Sequence, residues 1–214
     1  MQIFDSECRQ CPRLATFLDD VKAKYPSYYA RPVPPYGDAA PKLLIVGLAP
    51  GMHGANRTGR PFTGDFAGVL LYDTLYRYGY ASASTSVSAD DGLTLTDCRI
   101  SNAVKCLPPE NKPTGQEVVA CNQFLANELA SLPSNLIILA LGNVAHLATL
   151  KAFKLKVGNY KFGHAARHEL PEGQVLYDSY HCSRYNTQTR RLTESMFHQV
   201  FALINAELGK PAGS

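Results

Sequence analysis

No apolar run in this 214-residue chain approaches the roughly 20 residues that a membrane-spanning helix needs. Its first residues, MQIFDSECRQC, lack a basic start followed by an apolar stretch, so no secretory signal is expected. There is no internal repeat and no low-complexity tract, which argues against solenoids and disordered tails. Charge of one sign is also scarce, with a net charge of only +3. The glycine-rich loop matches neither G-x-G-x-x-G nor G-x-x-x-x-G-K-[ST], which counts against a nucleotide-binding α/β domain.

What is present suits one globular domain spanning 1–214, with 45% hydrophobic and 18% charged residues. A cytoplasmic location is expected, in a bacterial or archaeal cytosol. Cytoplasmic thiols stay reduced, so six cysteines call for a metal or catalytic explanation before a disulfide one. The charge is uneven: residues 151–214 carry nine Lys and Arg against five Asp and Glu. That bias is consistent with a polyanionic partner or with plain solvated surface.

Four β-rich runs stand out: Leu43 to Val46, Arg99 to Val104, Leu136 to Leu141 and Val175 to Tyr180. Helical spacing of apolar residues separates them, at 66–80, 114–130 and 193–208, with a further helix expected from Cys11 to Lys24. Thr114 and Glu117 form a capping-box pattern. Strands alternating with helices predict a mostly parallel, four-stranded sheet covered on both faces, a three-layer α/β/α architecture. Ligands sit at the carboxyl ends of such strands. The first strand opens there onto GLAPGMHGANRTG, a loop almost without bulk, as though something must lie close against its backbone.

Cys8-x-x-Cys11 is one close pair of thiols, and Cys106 and Cys121 lie far downstream. Together they make a four-sulfur set that suits either Zn²⁺ or a [4Fe–4S] cluster, spacing alone not separating the two. Core cysteines are the alternative. Cys98 and Cys182 stand outside the set.

The segments GLAPGMHGANRTGRPFTGD (47–65), NAVKCLPPENKPT (102–114) and HCSRYNTQTRRLT (181–193) resemble, in order, three motif regions of the iron–sulfur uracil-DNA glycosylases. The match is best with the branch called family five, or type B, and runs from Cys8 to about Thr193. The resemblance implies a monofunctional enzyme that flips a damaged base out of double-stranded DNA and hydrolyses its N-glycosidic bond. Uracil is the expected base, with hypoxanthine or other altered bases as further substrates and strict uracil specificity as the alternative. A protein that binds damaged DNA without chemistry is another.

The resemblance also implies roles. Asp65 positions or activates water, although an Asp ahead of a helix is equally a good N-cap. His181 stabilises the departing base anion, as an oxyanion-type donor does. Asn102 reads the base edge with an amide that both donates and accepts, and Phe62 stacks on the base. Gly47, Ala49 and Gly51 let the nucleotide approach the loop backbone, with His53 and Asn56 as further pocket candidates. Ser183, Arg184, Tyr185 and Asn186 press into the DNA, and Arg184, Arg190 and Arg191 contact phosphates. Cys8, Cys11, Cys106 and Cys121 hold a structural [4Fe–4S] cluster. No organic cofactor is implied, and a monomer is expected. Two departures are visible. Leu48 stands where family four carries an acid, which throws weight onto Asp65. Cys182 stands where the family usually has proline, and a Cys182–His181 hydrolase dyad is not expected, because adjacent strand residues point to opposite faces.

Overall fold

A computed structural model describes residues 2–211. Six strands form one mixed sheet: β1 (Tyr36–Gly37), β2 (Leu43–Gly47), β3 (Cys98–Asn102), β4 (Ile137–Leu141), β5 (Arg167–Glu169) and β6 (Val175–Ser179), in the order β1-β3-β2-β4-β6-β5. The expected four strands are its parallel centre, β3-β2-β4-β6. The expectation of a four-stranded sheet is corrected by two antiparallel edges, β1 on β3 and β5 on β6. These edges have two and three residues, too few for any alternating pattern to show in sequence.

Seven helices accompany the strands among the described residues. They are α1 (Pro12–Lys24), α2 (Ala55–Thr58), α3 (Phe66–Arg77), α4 (Gly115–Ser131), α5 (Asn143–Ala152), α6 (Arg184–Gln188) and α7 (Glu194–Glu207). Side chains alternate across each strand. Leu43 and Ile45 therefore join the core under α3 and α7, with Leu71, Leu75, Phe197 and Phe201. Leu44 and Val46 join the core on the opposite face, with Leu125 and Leu129 of α4 and Ala145 and Ala148 of α5. Because both faces are covered, all five residues of β2 and of β4 are buried, which is why those strands read as continuous apolar runs.

Helix starts follow local chemistry. Proline opens α1, where its missing amide proton costs nothing. Thr114 caps α4, and its own backbone amide donates to Glu117 Oε2 at 2.7 Å. Thr193 caps α7 through the Met196 amide. α1 packs beside α4 around Leu14, Leu18, Val21 and Phe124. Arg13 fixes that contact with a fork onto Glu117, at 2.8 and 2.7 Å.

Since β3 and β4 flank β2 on opposite sides, the chain reverses direction across the sheet at β2. A crevice forms at the carboxyl ends of strands at such a point.

Candidate active site

A cavity of about 990 Å³ opens at these strand ends. Its wall includes Ala49, Gly51 and His53 from the loop after β2, Phe62 and Asp65 from the turn before α3, and Asn102 from the end of β3. His181, Ser183 and Arg184 close it from the segment after β6. Three sequence-distant motif segments therefore meet around one hollow.

Asn102 ends β3 opposite Gly47 of β2. A Cβ at Gly47 would collide with Asn102 Oδ1 and come within 2.7 Å of the Phe62 ring. That glycine is bare to admit two side chains of the protein itself. Asn102 is 3% exposed, and its Oδ1 is buried with no hydrogen-bond partner among the described residues. Such an acceptor costs roughly 1–3 kcal/mol unless a ligand donor satisfies it.

Phe62 has a φ of +54°, a conformation strained for a bulky residue and frequent at functional sites. Its ring stacks against His181, with centroids 5.8 Å apart and planes 27° off parallel. His181 Nδ1 is buried without a partner among the described residues. Burial pushes the His181 pKa down to about 4, so the imidazole is neutral at pH 7. The side-chain amide of Asn186 donates to the His181 carbonyl at 2.8 Å and fixes the backbone there.

Asp65 is the N-cap of α3, and its Oδ1 accepts from the Gly68 amide at 2.9 Å. Its Oδ2 faces the loop after β2: a Cβ at Gly51 would stand 3.3 Å away, and one at Gly54 would collide with it. One oxygen caps the helix while the other is held at the cavity wall. Burial raises the Asp65 pKa, against the lowering effect of the Gly68 and Ala67 amides.

The remaining candidates scatter. Asn56 sits in α2, fully buried and off the cavity wall, with both side-chain polar atoms unpartnered among the described residues. Ser183 caps α6 through the Asn186 amide at 3.4 Å. Tyr185 is 70% exposed, and Arg190 and Arg191 are exposed, with Arg191 lying 4.8 Å over the Tyr180 ring. His53 lies at the wall and bonds Tyr28 Oη through Nδ1 at 2.8 Å. Cys182 is fully buried in the core under α3 and α7, and burial raises its thiol pKa, so it fills space.

Two parts of the wall escaped the sequence reading. Gly142, Asn143 and Val144, at the N-terminus of α5, line the cavity, so a positive helix end faces it. Gly142 before a short apolar run was the available signal. Thr85, Ser86 and Val87 form another wall from a loop that read only as polar.

Cys8, Cys11, Cys106 and Cys121 gather in the layer under α1 and α4. Burial raises the Cys106 pKa, and the other three sulfurs raise it further. No three of these sulfurs lie within 4.8 Å of one another. Four thiolates on one Zn²⁺ at about 2.3 Å would stand about 3.8 Å apart.

A parallel-centred α/β/α sheet with a largely apolar crevice at its switch point, set with a few polar side chains, has the form of a small-ligand site. The chain belongs to the uracil DNA glycosylase superfamily, whose family model matches residues 34–205. It is 46% identical over 198 residues to a type-5 uracil-DNA glycosylase of Thermus thermophilus, covering 90% of each chain. It is 39% identical over 206 residues to a type-5 uracil-DNA glycosylase of Pyrobaculum aerophilum, covering 94% of this chain and 89% of the relative. A type-4 uracil-DNA glycosylase of Archaeoglobus fulgidus matches at 32% over 150 residues, 70% of this chain and 61% of the relative.

Proposed function

We propose that the protein is a uracil-DNA glycosylase of base excision repair, of the type-5 branch, acting on double-stranded DNA. The observation that carries this is the convergence of Phe62, Asp65, Asn102 and His181 on one cavity at the strand ends. The type-5 relatives align over most of the chain.

The chemistry follows from the groups. A base extruded from the stack costs a few kcal/mol, and stacking on Phe62 returns roughly 1–3 kcal/mol. The Asn102 amide pairs with the base edge. As the C1′–N bond breaks, its electron pair leaves with the base and the sugar becomes cationic. Neutral His181 donates a hydrogen bond to the base carbonyl on which negative charge collects, and the α5 N-terminus adds positive potential nearby. Asp65 Oδ2 orients the water that adds to C1′ and accepts its proton. No lysine lines the cavity among the described residues, so hydrolysis without a lyase step is the reading. Hypoxanthine is proposed as a second substrate beside uracil.

The four clustered thiols line one small hollow, a four-thiolate donor set that suits a [4Fe–4S] group. Cys8, Cys11, Cys106 and Cys121 would hold it, and bound there it would supply a brace between the N-terminal segment, α4 and the loop after β3.

The test is incubation with duplex oligonucleotides bearing uracil or hypoxanthine, followed by alkali. Strand cleavage at the lesion is expected for both. Intact strands with excess enzyme would overturn the assignment, and cleavage at uracil alone would restore strict specificity.

A further inference from the structure

His146 and Asp178 form a buried pair that lies outside the cavity wall. His146, in α5, is 1% exposed, and Asp178, in β6, is 0% exposed. His146 Nδ1 stands 2.8 Å from Asp178 Oδ1, and Nε2 stands 3.0 Å from the Tyr160 carbonyl oxygen. A carbonyl and a carboxylate both accept, whereas a neutral imidazole has one ring proton to give. Bonding both oxygens therefore takes two protons, which makes His146 an imidazolium. Burial works against that charge, but the Asp178 bond and charge, with the Tyr160 carbonyl, outweigh it and leave the His146 pKa above the ordinary histidine value. Asp178 Oδ2 is engaged as well, by His168 Nε2 at 3.2 Å and the Gly163 amide at 3.4 Å. The groups facing the His146 ring are Asp178 from β6, His168 from β5 at 5.6 Å between centroids, and the Tyr160 carbonyl and Phe162 ring from the segment after α5.

This pair joins the two elements that meet at His181. Asp178 is three residues before His181, and His146 is one turn into α5 from Gly142. The Gly142 amide donates to the Ser179 carbonyl at 2.8 Å, and the His146 amide donates to the Gly142 carbonyl at 3.1 Å. A Cβ at Gly142 would stand 3.5 Å from the His181 Cβ. The start of α5 and the end of β6 are thus tied twice, by the Gly142–Ser179 bond and by the His146–Asp178 pair, and His181 packs at the joint. The segment before β5 binds the same stretch of strand. The Ala165 amide donates to the Asp178 carbonyl at 2.9 Å, the Asp178 amide to the Ala166 carbonyl at 3.0 Å, and the Tyr180 amide to His164 Nδ1 at 3.3 Å.

We propose that His146, as an imidazolium held by Asp178, is a positioning residue for His181: it fixes the end of β6 against the start of α5 and so sets where the His181 ring meets the departing base. The proposal rests on the glycosylase reading and deepens it. His146 touches no substrate in this scheme and acts through His181. Misplacing a catalytic group by about 1 Å can cost about 10²-fold in rate. Stripping a buried charge of its partner also destabilises the fold, so rate and stability must be read apart.

The experiment is a double-mutant cycle on single-turnover excision of uracil from duplex DNA, run below the melting temperature of every variant. His146→Leu should slow excision on the order of tenfold when His181 is intact, and by less than about twofold when His181 is already alanine. Equal losses in both backgrounds, or no loss in the first, would overturn the role, since a merely structural fault lowers both alike. If His146→Leu does not fold, His146→Gln, with a neutral amide in place of the imidazolium, enters the same cycle with the same expectation. Nitrogen NMR spectra at neutral pH should show a proton on each ring nitrogen of His146, and Asp178→Asn should remove one. A singly protonated His146 in the wild type, or stoichiometric zinc ligated by His146, His168 and Asp178, would overturn the imidazolium. Wild-type protein that releases no uracil would instead refute the glycosylase reading, while the ring protons of His146 would be seen unchanged.

Discussion

Asp65 carries two duties on two oxygens. Oδ1 caps α3 and Oδ2 faces the loop of the cavity. Substitution can separate them. Asparagine is as good an N-cap as aspartate, whereas alanine loses about 1 kcal/mol of helix stability. Asp65→Asn should therefore keep or slightly raise the melting temperature and lower excision by at least about 10²-fold, while Asp65→Ala loses both. The sign of the stability effect follows from the raised pKa. Burial disfavours the carboxylate in the folded state, so above the unfolded pKa the ionised group costs stability that the neutral amide does not. The same shift sets activity against pH. The water-orienting form is the ionised one, so excision should fall on acidification through a pKa above the ordinary carboxylate value. A pH profile whose acidic limb lies at the ordinary carboxylate value, or melting curves in which Asp65→Asn is as unstable as Asp65→Ala, would contradict this division.

At the scale of elements, those legible in sequence were continuous apolar runs buried on both faces, such as β2 and β4, and helices with a one-sided apolar face or a capped end. α4 announced itself by Thr114 and Glu117, and α7 by apolar residues at 196, 197, 200, 201 and 204. α5 went unseen because Ala145, His146, Ala148, Thr149 and Leu150 are all buried, so it lacks the clean polar face that marks a helix in sequence. The candidate site was legible where distinctive side chains make its wall and illegible where backbone does. Asp65 and His181 could be named, but the α5 end and the 85–87 loop line the cavity without a distinctive residue type. The thiols link several elements: Cys11 precedes α1, Cys106 follows β3 and Cys121 lies in α4. Thiolate-bound iron gives broad absorbance near ~400 nm. Cys106→Ser should abolish that colour and free the N-terminal segment, so limited proteolysis should cut within residues 2–24 while the sheet stays folded. A colourless wild type that binds zinc stoichiometrically would refute the cluster.

Across the whole molecule, the charge asymmetry of the sequence acquires a place. Arg184, Arg190 and Arg191 are all exposed in the segment after β6, Arg184 lines the cavity, and the last 64 residues hold the basic excess. Phosphate contacts position a nucleic acid without reading it, and each releases counterions. Affinity for duplex DNA should thus fall steeply with salt. The double variant Arg190→Ala with Arg191→Ala should flatten the log–log salt slope by about one to two units and weaken uracil-bearing and normal DNA alike. His181→Ala should leave that slope untouched while slowing excision by about 10²–10³-fold, because its contact is made to the departing base and not to the backbone. Fluorescence anisotropy across a salt series separates the two kinds of residue. A double variant that keeps the wild-type slope and loses affinity only for uracil-bearing DNA would move Arg190 and Arg191 from the phosphate backbone to the pocket, and would leave the basic third of the chain without its proposed partner.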